Sequence, residues 1–126
     1  MRIFGQTKVW IMNFEIKKHN DFAIIESKVD KLDSLVAPEL KAALVALGKT
    51  DFNNIIVNLN DTKYCDSSGL SALLVGNRLS KANNGVFVIC SLQPSVNKMI
   101  EISQLHTILN IEENEPKAVD FVLNSK

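Results

Sequence analysis

The sequence predicts an α/β domain with a mixed, largely parallel sheet of about five strands and about four helices. Short apolar runs alternate along the chain with stretches that place apolar residues three or four positions apart, a pattern typical of alternating strands and helices. The run 86–90 is apolar throughout, as in a strand covered on both faces of a parallel sheet. With 126 residues, 46% of them hydrophobic, the chain is long enough to form one domain around its own core.

The elements are expected in the order β-β-α-β-α-β-α-β-α. A first strand begins near Asn13 and a second covers 22–26, where apolar residues alternate with polar ones. The first helix is expected to open at 32–34 and to end at Gly48. Pro38 falls in its first turn, where a missing backbone N–H costs little.

The rest of the chain continues this alternation. The expected elements are a strand over 55–60, a helix over 70–81, a strand over 86–90, a helix from 92–95, a strand over 108–111, and a helix after Pro116 with Ala118, Val119, Val122 and Leu123 on one side. The helix over 70–81 carries apolar residues on more than half of its surface. We expect the domain to cover this helix on two sides; the alternative is that its first turn is exposed for a partner.

Composition narrows the classes of function. The chain carries 14 basic and 14 acidic residues, so it lacks the basic excess typical of nucleic-acid binding, and no direct contact with nucleic acid is expected. No apolar run is long enough to cross a membrane. The two cysteines, Cys65 and Cys90, form no CxxC pair, so no metal site or cofactor is predicted. Free thiols and the lack of a signal peptide favour the cytoplasm.

Residues 1–12 are expected to form an N-terminal extension, and residues 13–126 the domain proper. The extension shows no clear hydrophobic period, and Met12 is an alternative start. We expect its apolar side chains to dock against the edge of the domain; they are Phe4, Val9, Trp10 and Ile11.

The stretch Asp66-Ser67-Ser68-Gly69 lies between the strand over 55–60 and the next helix. Loops at the C-terminal ends of strands are where open α/β sheets place their ligands and chemistry. Asp66 suits a helix N-cap, because its carboxylate can accept hydrogen bonds from the free N–H groups of the first turn. These residues therefore have two interpretations. They form either a helix start and nothing more, or a partner-binding loop in which a serine receives a phosphoryl group and changes the charge of a contact surface.

A serine hydrolase is a third possibility, and the sequence disfavours it. The nucleophile motif G-x-S-x-G needs glycine two residues before the serine, where this chain has Cys65 or Asp66. The two histidines of the sequence, His19 and His106, would have to fold toward Ser67 and be oriented by a carboxylate. No catalytic residue is therefore predicted, and both histidines are expected to be ordinary surface residues.

These motifs resemble those of a known family. Asn58-Leu59-Asn60, followed by Tyr-Cys-Asp-Ser-Ser-Gly-Leu-Ser-Ala-Leu-Leu at 64–74, is similar to the signature of STAS domains, the fold shared by bacterial anti-sigma factor antagonists and the cytoplasmic tails of sulfate transporters. Further matches lie at Leu32-Asp33, 85–89, 102–105 and 116–118, in the same order along the chain as in the family. The resemblance therefore spans about 13–123. The chain departs from the family pattern just before Leu32, where Asp30 and Lys31 replace the usual glycine.

The resemblance implies a mechanism. In antagonists of this kind the first serine of Asp-Ser-Ser-Gly, here Ser67, is phosphorylated by a serine kinase that is also the anti-sigma factor, an ATPase of the histidine-kinase-like type. The unmodified form binds this kinase, which then frees the sigma factor. The phosphorylated form does not bind, and a PP2C-type phosphatase resets it. Asp66 would position the loop, Ser68 would have a lesser part, and the protein would regulate transcription indirectly without being an enzyme.

The resemblance also implies an alternative function, as a STAS-type structural subunit of a membrane lipid-transport ATPase complex. There, the loop formed by Asp66, Ser67, Ser68 and Gly69 would be a docking surface without phosphate turnover. Neither the neutral charge nor the lack of a membrane span separates the two functions, so the sequence leaves both open.

Overall fold

The computed structural model describes residues 7–11, 13–50 and 52–125, with the backbone alone for 7–11. Eight strands lie in this part of the chain: β1 Thr7–Ile11, β2 Phe14–Lys18, β3 Ala23–Ser27, β4 Lys31–Leu32, β5 Ile55–Asn58, β6 Tyr64–Cys65, β7 Phe87–Cys90 and β8 Asn110–Glu112. The α-helices there are α1 Ala37–Gly48, α2 Ser67–Ala82, α3 Pro94–Ile102 and α4 Glu115–Leu123. A short 3₁₀ helix, Leu105–Thr107, precedes β8.

The strands form one large and one small sheet. The main sheet has the order β1-β2-β3-β5-β7-β8, in which β1 to β3 pair antiparallel and β3, β5, β7 and β8 pair parallel. The small sheet consists of β4 and β6, which pair parallel through Lys31 with Tyr64 and Leu32 with Cys65. The predicted α/β class with a largely parallel sheet is thereby confirmed.

The two faces of the main sheet are covered differently. Buried residues of α1, α2 and α3 pack against one face in the larger hydrophobic cluster. On the other face, Ala118 and Val122 of α4 pack against Ile24, Ile56 and Val88. This layered arrangement of helices on both faces follows from the parallel connections, because each crossover helix has to cover the sheet.

The helix α2 is covered on two sides, as predicted. Leu70 and Leu73 are buried, and so are the small residues Gly69, Ala72 and Gly76. One reason for the close packing of α2 is Gly76, where a Cβ atom would collide with the ring of Phe87 in β7. The broad apolar surface of α2 is therefore core.

The predicted start of the first helix was wrong. The helix α1 begins at Ala37, because Asp33 organises a separate turn before it. The Asp33 carbonyl accepts hydrogen bonds from the N–H groups of Val36 (3.0 Å) and Ala37 (2.7 Å), and its Oδ1 accepts one from Leu35 N–H at 3.0 Å. An Asp that turns the chain and an Asp that caps a helix give the same sequence signal. Pro38 lies in the first turn and Gly48 is the last helical residue, as predicted.

Other boundaries also differ from the prediction. The strand β5 ends at Asn58, because its side-chain Oδ1 accepts a hydrogen bond from Asn60 N–H (2.9 Å) and the chain turns there. The last strand begins at Asn110, after the 3₁₀ helix. In α4, Ala118 and Val122 are buried, whereas Leu123, which was predicted on the same side of the helix, is 43% exposed.

The strand β1 lies within the predicted N-terminal extension. The residues Thr7–Ile11 pair antiparallel with β2 and make the main sheet six-stranded, which the sequence pattern did not predict. The expected docking of the side chains of Phe4, Val9, Trp10 and Ile11 lies outside the described residues. The division into an extension (1–12) and a domain (13–126) stays a prediction.

Candidate functional site

The loop Asp66-Ser67-Ser68-Gly69 lies beyond the C-terminal ends of β3 and β5. Two buried hydroxyls hold the chain there: Ser27, at the end of β3, is 2.7 Å from Thr62 Oγ1, and Thr62 Oγ1 donates to the Val29 carbonyl at 2.9 Å. Because the Thr62 proton is used in that bond, Ser27 Oγ donates to Thr62. Beyond these hydroxyls the chain forms β6 and then enters α2.

The departure at Asp30 and Lys31 lies in this framework. The Asp30 carbonyl accepts hydrogen bonds from the N–H groups of Lys63 (2.8 Å) and Tyr64 (3.1 Å), and Lys31 is the first residue of β4. The segment that replaces the family's glycine is thus paired with the chain just before Asp66.

Asp66 is the N-cap of α2, as predicted. Its Oδ1 accepts hydrogen bonds from Ser68 N–H at 2.9 Å and Gly69 N–H at 3.1 Å. The first intrahelical bond runs from Leu70 N–H to the Asp66 carbonyl at 3.0 Å. One carboxylate therefore satisfies two of the N–H groups that a helix start leaves unpaired, and its negative charge lies at the positive end of the helix dipole.

The two serines differ in exposure. Ser67, the first helical residue, is exposed, whereas Ser68 is half-buried. In the part of the chain that the structure describes, the Ser67 hydroxyl has no hydrogen-bond partner. Ser67 is therefore the serine whose hydroxyl an enzyme or a partner can reach without unfolding the loop.

Gly69 lets the first turn of α2 approach the small sheet. A Cβ atom here would collide with the carbonyl oxygen of Leu32 in β4 and lie 2.6 Å from Cys65 Sγ. Both neighbours are buried and fixed by the pairing of β4 with β6. The glycine is thus required by space.

Cys65 precedes the loop and carries an inert thiol. Burial and, to a lesser extent, the negative charge of Asp66 raise the pKa of Cys65 from 9.0 to about 12. A thiol of such high pKa stays protonated near neutral pH, where the thiolate is the reactive species. Cys65 therefore acts as a small core residue, and both described cysteines are free and buried.

A shallow groove opens beside the loop, between β6 and α3. It has a volume of about 190 Å³ and is lined by Tyr64, Cys65, Ser95, Lys98, Met99 and Ile102. Its walls are mostly apolar, and Tyr64 and Ile102 are 46% and 68% exposed. The sequence analysis missed this groove, because only the fold brings β6 and α3 together. Ile102 could have indicated the groove, because this isoleucine lies outside the positions of the third helix that were expected to face inward.

The two histidines lie at the end of the main sheet where the strands β3 and β8 begin. His19 lies before β3, where its ring stacks on Phe22 with the centroids 4.7 Å apart. His106 is exposed in the 3₁₀ helix before β8. Both histidines precede a strand of the main sheet, whereas Ser67 follows the strand β6. Among the described residues no hydrogen bond joins either histidine to Ser67, so the hydrolase possibility gains no base from this arrangement.

The described residues also hold no group of three or more His, Cys, Asp or Glu side chains arranged to bind a metal ion. None of their helices has the length and apolar character needed to span a membrane.

Comparisons of the sequence with known proteins identify a family and curated relatives. A family model described as "STAS domain" matches residues 13–118. An anti-sigma F factor antagonist of Paenibacillus polymyxa is 26% identical over 110 residues, which cover 86% of this chain and 94% of that protein. An anti-sigma-B factor antagonist of Staphylococcus epidermidis is 27% identical over 103 residues, which cover 81% of this chain and 94% of that protein.

Solved structures share the fold at lower identity. The anti-sigma factor antagonist SpoIIAA in its unphosphorylated form has a TM-score of 0.71 at 21% identity, covering 94% of this chain and 96% of that one. An anti-sigma-factor antagonist (STAS) domain protein from Planctomyces limnophilus has a TM-score of 0.76 at 14% identity, covering 87% and 97%.

Proposed function

The chain belongs to the STAS family, and we propose that it is an anti-sigma factor antagonist whose binding to a serine-kinase anti-sigma factor ends when Ser67 is phosphorylated. The observation that carries this proposal is the exposed Ser67 at the first position of α2, directly after the capping Asp66. The relatives named as anti-sigma factor antagonists support it, since they match over most of their length.

The cap geometry explains why a phosphate here would act as a switch. A phosphoserine adds about 1.5 to 2 negative charges at neutral pH. The N–H groups of Ser68 and Gly69 are already bonded to the Asp66 carboxylate, so they are not free to neutralise the new charge. Phosphoserine and Asp66 would then form a concentrated negative surface at the loop. Burying that surface against a protein without a matching cation costs several kcal/mol.

The remaining parts of the cycle follow from the same switch. The kinase is the anti-sigma factor itself, of the histidine-kinase-like ATPase type, and a PP2C-type phosphatase restores the binding form. The protein has no catalytic role of its own, acts in the cytoplasm and regulates transcription through its partner. Asp66, Ser68 and Gly69 shape the loop that the partner contacts.

Phosphate mapping tests the proposed residue. The chain is incubated with its cognate anti-sigma factor kinase and ATP, and the modified peptide is identified by mass spectrometry. We expect one phosphate on Ser67, none on Ser67→Ala, and normal modification of the matched control Ser68→Ala. Equal phosphate incorporation into Ser67→Ala would overturn the assignment.

Affinity measurement tests the switch. Ser67→Asp places one negative charge at the same position and should weaken the complex with the kinase by at least about tenfold, because an unpaired charge enters the interface. Ser67→Ala, of similar size and without charge, should bind like the wild type. Equal affinity of Ser67→Asp and Ser67→Ala would contradict the charge mechanism. Copurification with a lipid-transport ATPase in place of a kinase would favour the structural-subunit alternative.

A further inference from the structure

The helix α2 ends in a turn that places an asparagine directly before a glycine. Asn83 is the C-cap, and Asn84 follows it in the left-handed region with a φ of 62°. The Asn84 N–H donates to the Lys81 carbonyl at 3.1 Å. The Gly85 N–H donates to the Ser80 carbonyl at 2.6 Å. These two bonds are those of the Schellman motif, whose left-handed position accepts glycine or asparagine.

An asparagine followed by glycine has a chemical consequence beyond the fold. The nitrogen of the following residue can attack the side-chain amide carbon, and glycine hinders the attack least because it has no side chain. Here the Gly85 nitrogen would bond to Asn84 Cγ and lose its proton to solvent, while the bond from Cγ to Nδ2 breaks and ammonia leaves. Water then opens the resulting succinimide at either carbonyl group. The products are aspartate, with the normal main chain, and isoaspartate, whose main chain runs through the side-chain carbons.

The fold exposes one reacting group and holds the other. Asn84 is exposed, and no hydrogen bond between described residues engages its side-chain amide. Gly85 is half-buried, and its N–H is bonded to the Ser80 carbonyl. The Gly85 nitrogen has to break this bond before it can lose its proton and turn toward Asn84 Cγ. The amide carbon is therefore accessible, whereas the attacking nitrogen is not.

The chain after the turn is also fixed. The Val86 N–H donates to Asn54 Oδ1 at 2.9 Å, and the Val86 carbonyl accepts from Ile55 N–H at 2.9 Å. Gly85 lies against the Asn53 carbonyl, where a Cβ atom would collide. Opening the turn therefore breaks contacts with the segment that leads into β5, and only a small fraction of molecules is open at any time.

We propose that Asn84 is a site of spontaneous deamidation whose rate is set by the opening of the turn 80–86. The fold slows the reaction, because only open molecules react. The isoaspartate product adds one atom to the main chain between two fixed points, the end of α2 and the contact of Val86 with Asn54. The modified turn should therefore not close again, and α2 should lose its C-terminal cap. Asn84 and Ser67 lie at opposite ends of α2, so this inference does not rest on the proposed function.

Incubation of the full chain at mildly alkaline pH tests the site, in buffer and in guanidinium chloride that unfolds the chain. Peptide mapping by mass spectrometry, with chromatographic separation of aspartate and isoaspartate peptides, follows Asn84. We expect the folded chain to react at least about tenfold more slowly than the unfolded chain. Asn97, which precedes a lysine, is the internal control and should react more slowly than Asn84 in the unfolded chain. Equal rates at Asn84 in the folded and unfolded chain, or an Asn84 that stays intact in the unfolded chain, would overturn the inference.

Hydrogen exchange measures the same opening independently. Exchange of the Gly85 N–H also requires release from the Ser80 carbonyl, so folding should slow exchange and deamidation by similar factors. Asn54→Ala removes the acceptor of the Val86 N–H and should raise both rates. Val96→Ala, which lowers stability at a buried position of α3, is the matched control and should raise them less. An unprotected Gly85 N–H, or a larger acceleration by Val96→Ala than by Asn54→Ala, would show that the turn does not control the reaction.

The two products should differ in stability. Asn84→Asp reproduces the aspartate product, and chain aged until it carries isoaspartate at position 84 is purified for comparison. Both forms carry the same additional negative charge, so a difference between them isolates the added main-chain atom. We expect the isoaspartate form to unfold at a lower urea concentration than Asn84→Asp. Equal midpoints would contradict the predicted loss of the cap.

Discussion

The helices α2 and α3 follow the strands β6 and β7, but their first turns are fixed by different means. Each follows a strand that ends in a buried cysteine, Cys65 or Cys90. In α2 the cap is the carboxylate of Asp66, which accepts two backbone hydrogen bonds. In α3 the N-cap Gln93 makes no such bond, and Pro94 is the first helical residue.

The difference shows how a helix start is organised when its first position holds an exposed serine. Proline presets the backbone of α3 without a side-chain cap, and the Gln93 side chain is free to donate to the Asn60 carbonyl at 2.5 Å. In α2 the first helical position holds an exposed serine, so another group has to organise the turn. Asp66 and Gly69 do this, and they leave Ser67 free of structural duties.

The largest expected effects on stability arise at the third residue of each helix, Gly69 in α2 and Val96 in α3. Gly69→Ala adds a Cβ atom against the fixed Leu32 carbonyl and should lower the free energy of unfolding by about 2 to 3 kcal/mol. Val96 is fully buried, and Val96→Ala should cost about 2 kcal/mol by leaving a cavity. Urea unfolding measures both. Ser71→Ala, on the exposed side of α2, is the control and should be close to neutral.

If Gly69→Ala were as stable as the wild type, the first turn of α2 would not be held by contact with β4. Steric contact would then not distinguish the first turn of α2 from that of α3. Opposite changes thus destabilise the two helix starts, an added methyl group in one and lost methyl groups in the other.

A smaller effect on stability is expected at the two N-cap residues, Asp66 in α2 and Gln93 in α3. Asp66→Ala removes a carboxylate that accepts two backbone hydrogen bonds and should lower the free energy of unfolding by about 1 kcal/mol. Gln93→Ala removes no cap bond and should cost less. Asp66→Asn keeps an oxygen acceptor and is the matched control, with a stability near that of the wild type. Equal stability of Asp66→Ala and Asp66→Asn in urea unfolding would show that the cap contributes nothing.

The smallest effect concerns the two thiols. Burial raises the pKa of Cys65 to about 12 and that of Cys90 to about 11, from 9.0. Because the folded pKa values lie above the unfolded value, this stability is present below pH 9 and is lost as the pH rises through the window from 9 to the folded pKa. The expected loss is about 0.3 kcal/mol per thiol between pH 8 and pH 9.

Urea unfolding at several pH values between 8 and 9 measures this dependence. Cys65→Ala should remove the part of the decline that belongs to the start of α2, and Cys65→Ala with Cys90→Ala should remove both parts. An unchanged decline in the double variant would assign the pH dependence to other groups.

Local chemistry explains which parts were predictable from the sequence. Asp66 followed by two serines and a glycine predicts a capped helix start, because the hydrogen bonds involved span three residues. The apolar run 86–90 predicts a strand covered on both faces, because this signal also lies within a few consecutive residues. Asp33 misled the prediction, because the same side chain serves a turn and a cap equally well.

The unpredicted parts depend on contacts between distant residues. β4 and β6 have two residues each, too few to show a hydrophobic period, and they form only because the fold brings 31–32 to 64–65. The groove likewise requires Tyr64 and Ile102 to meet across two elements. The strand β1 pairs with β2 although its sequence shows no clear alternation.

The hydrogen bonds that join Ser27, Thr62 and Val29 have a consequence for the timing of the proposed switch. They tie the chain ahead of the loop to the end of β3, and the Asp66 cap orders the loop itself, so association would need no slow ordering step. The rate of encounter would then be set by diffusion and charge, and phosphate on Ser67 would act mainly by shortening the lifetime of the complex. Phosphorylation of Ser67 in the complex would then release the partner within the shortened lifetime of that complex.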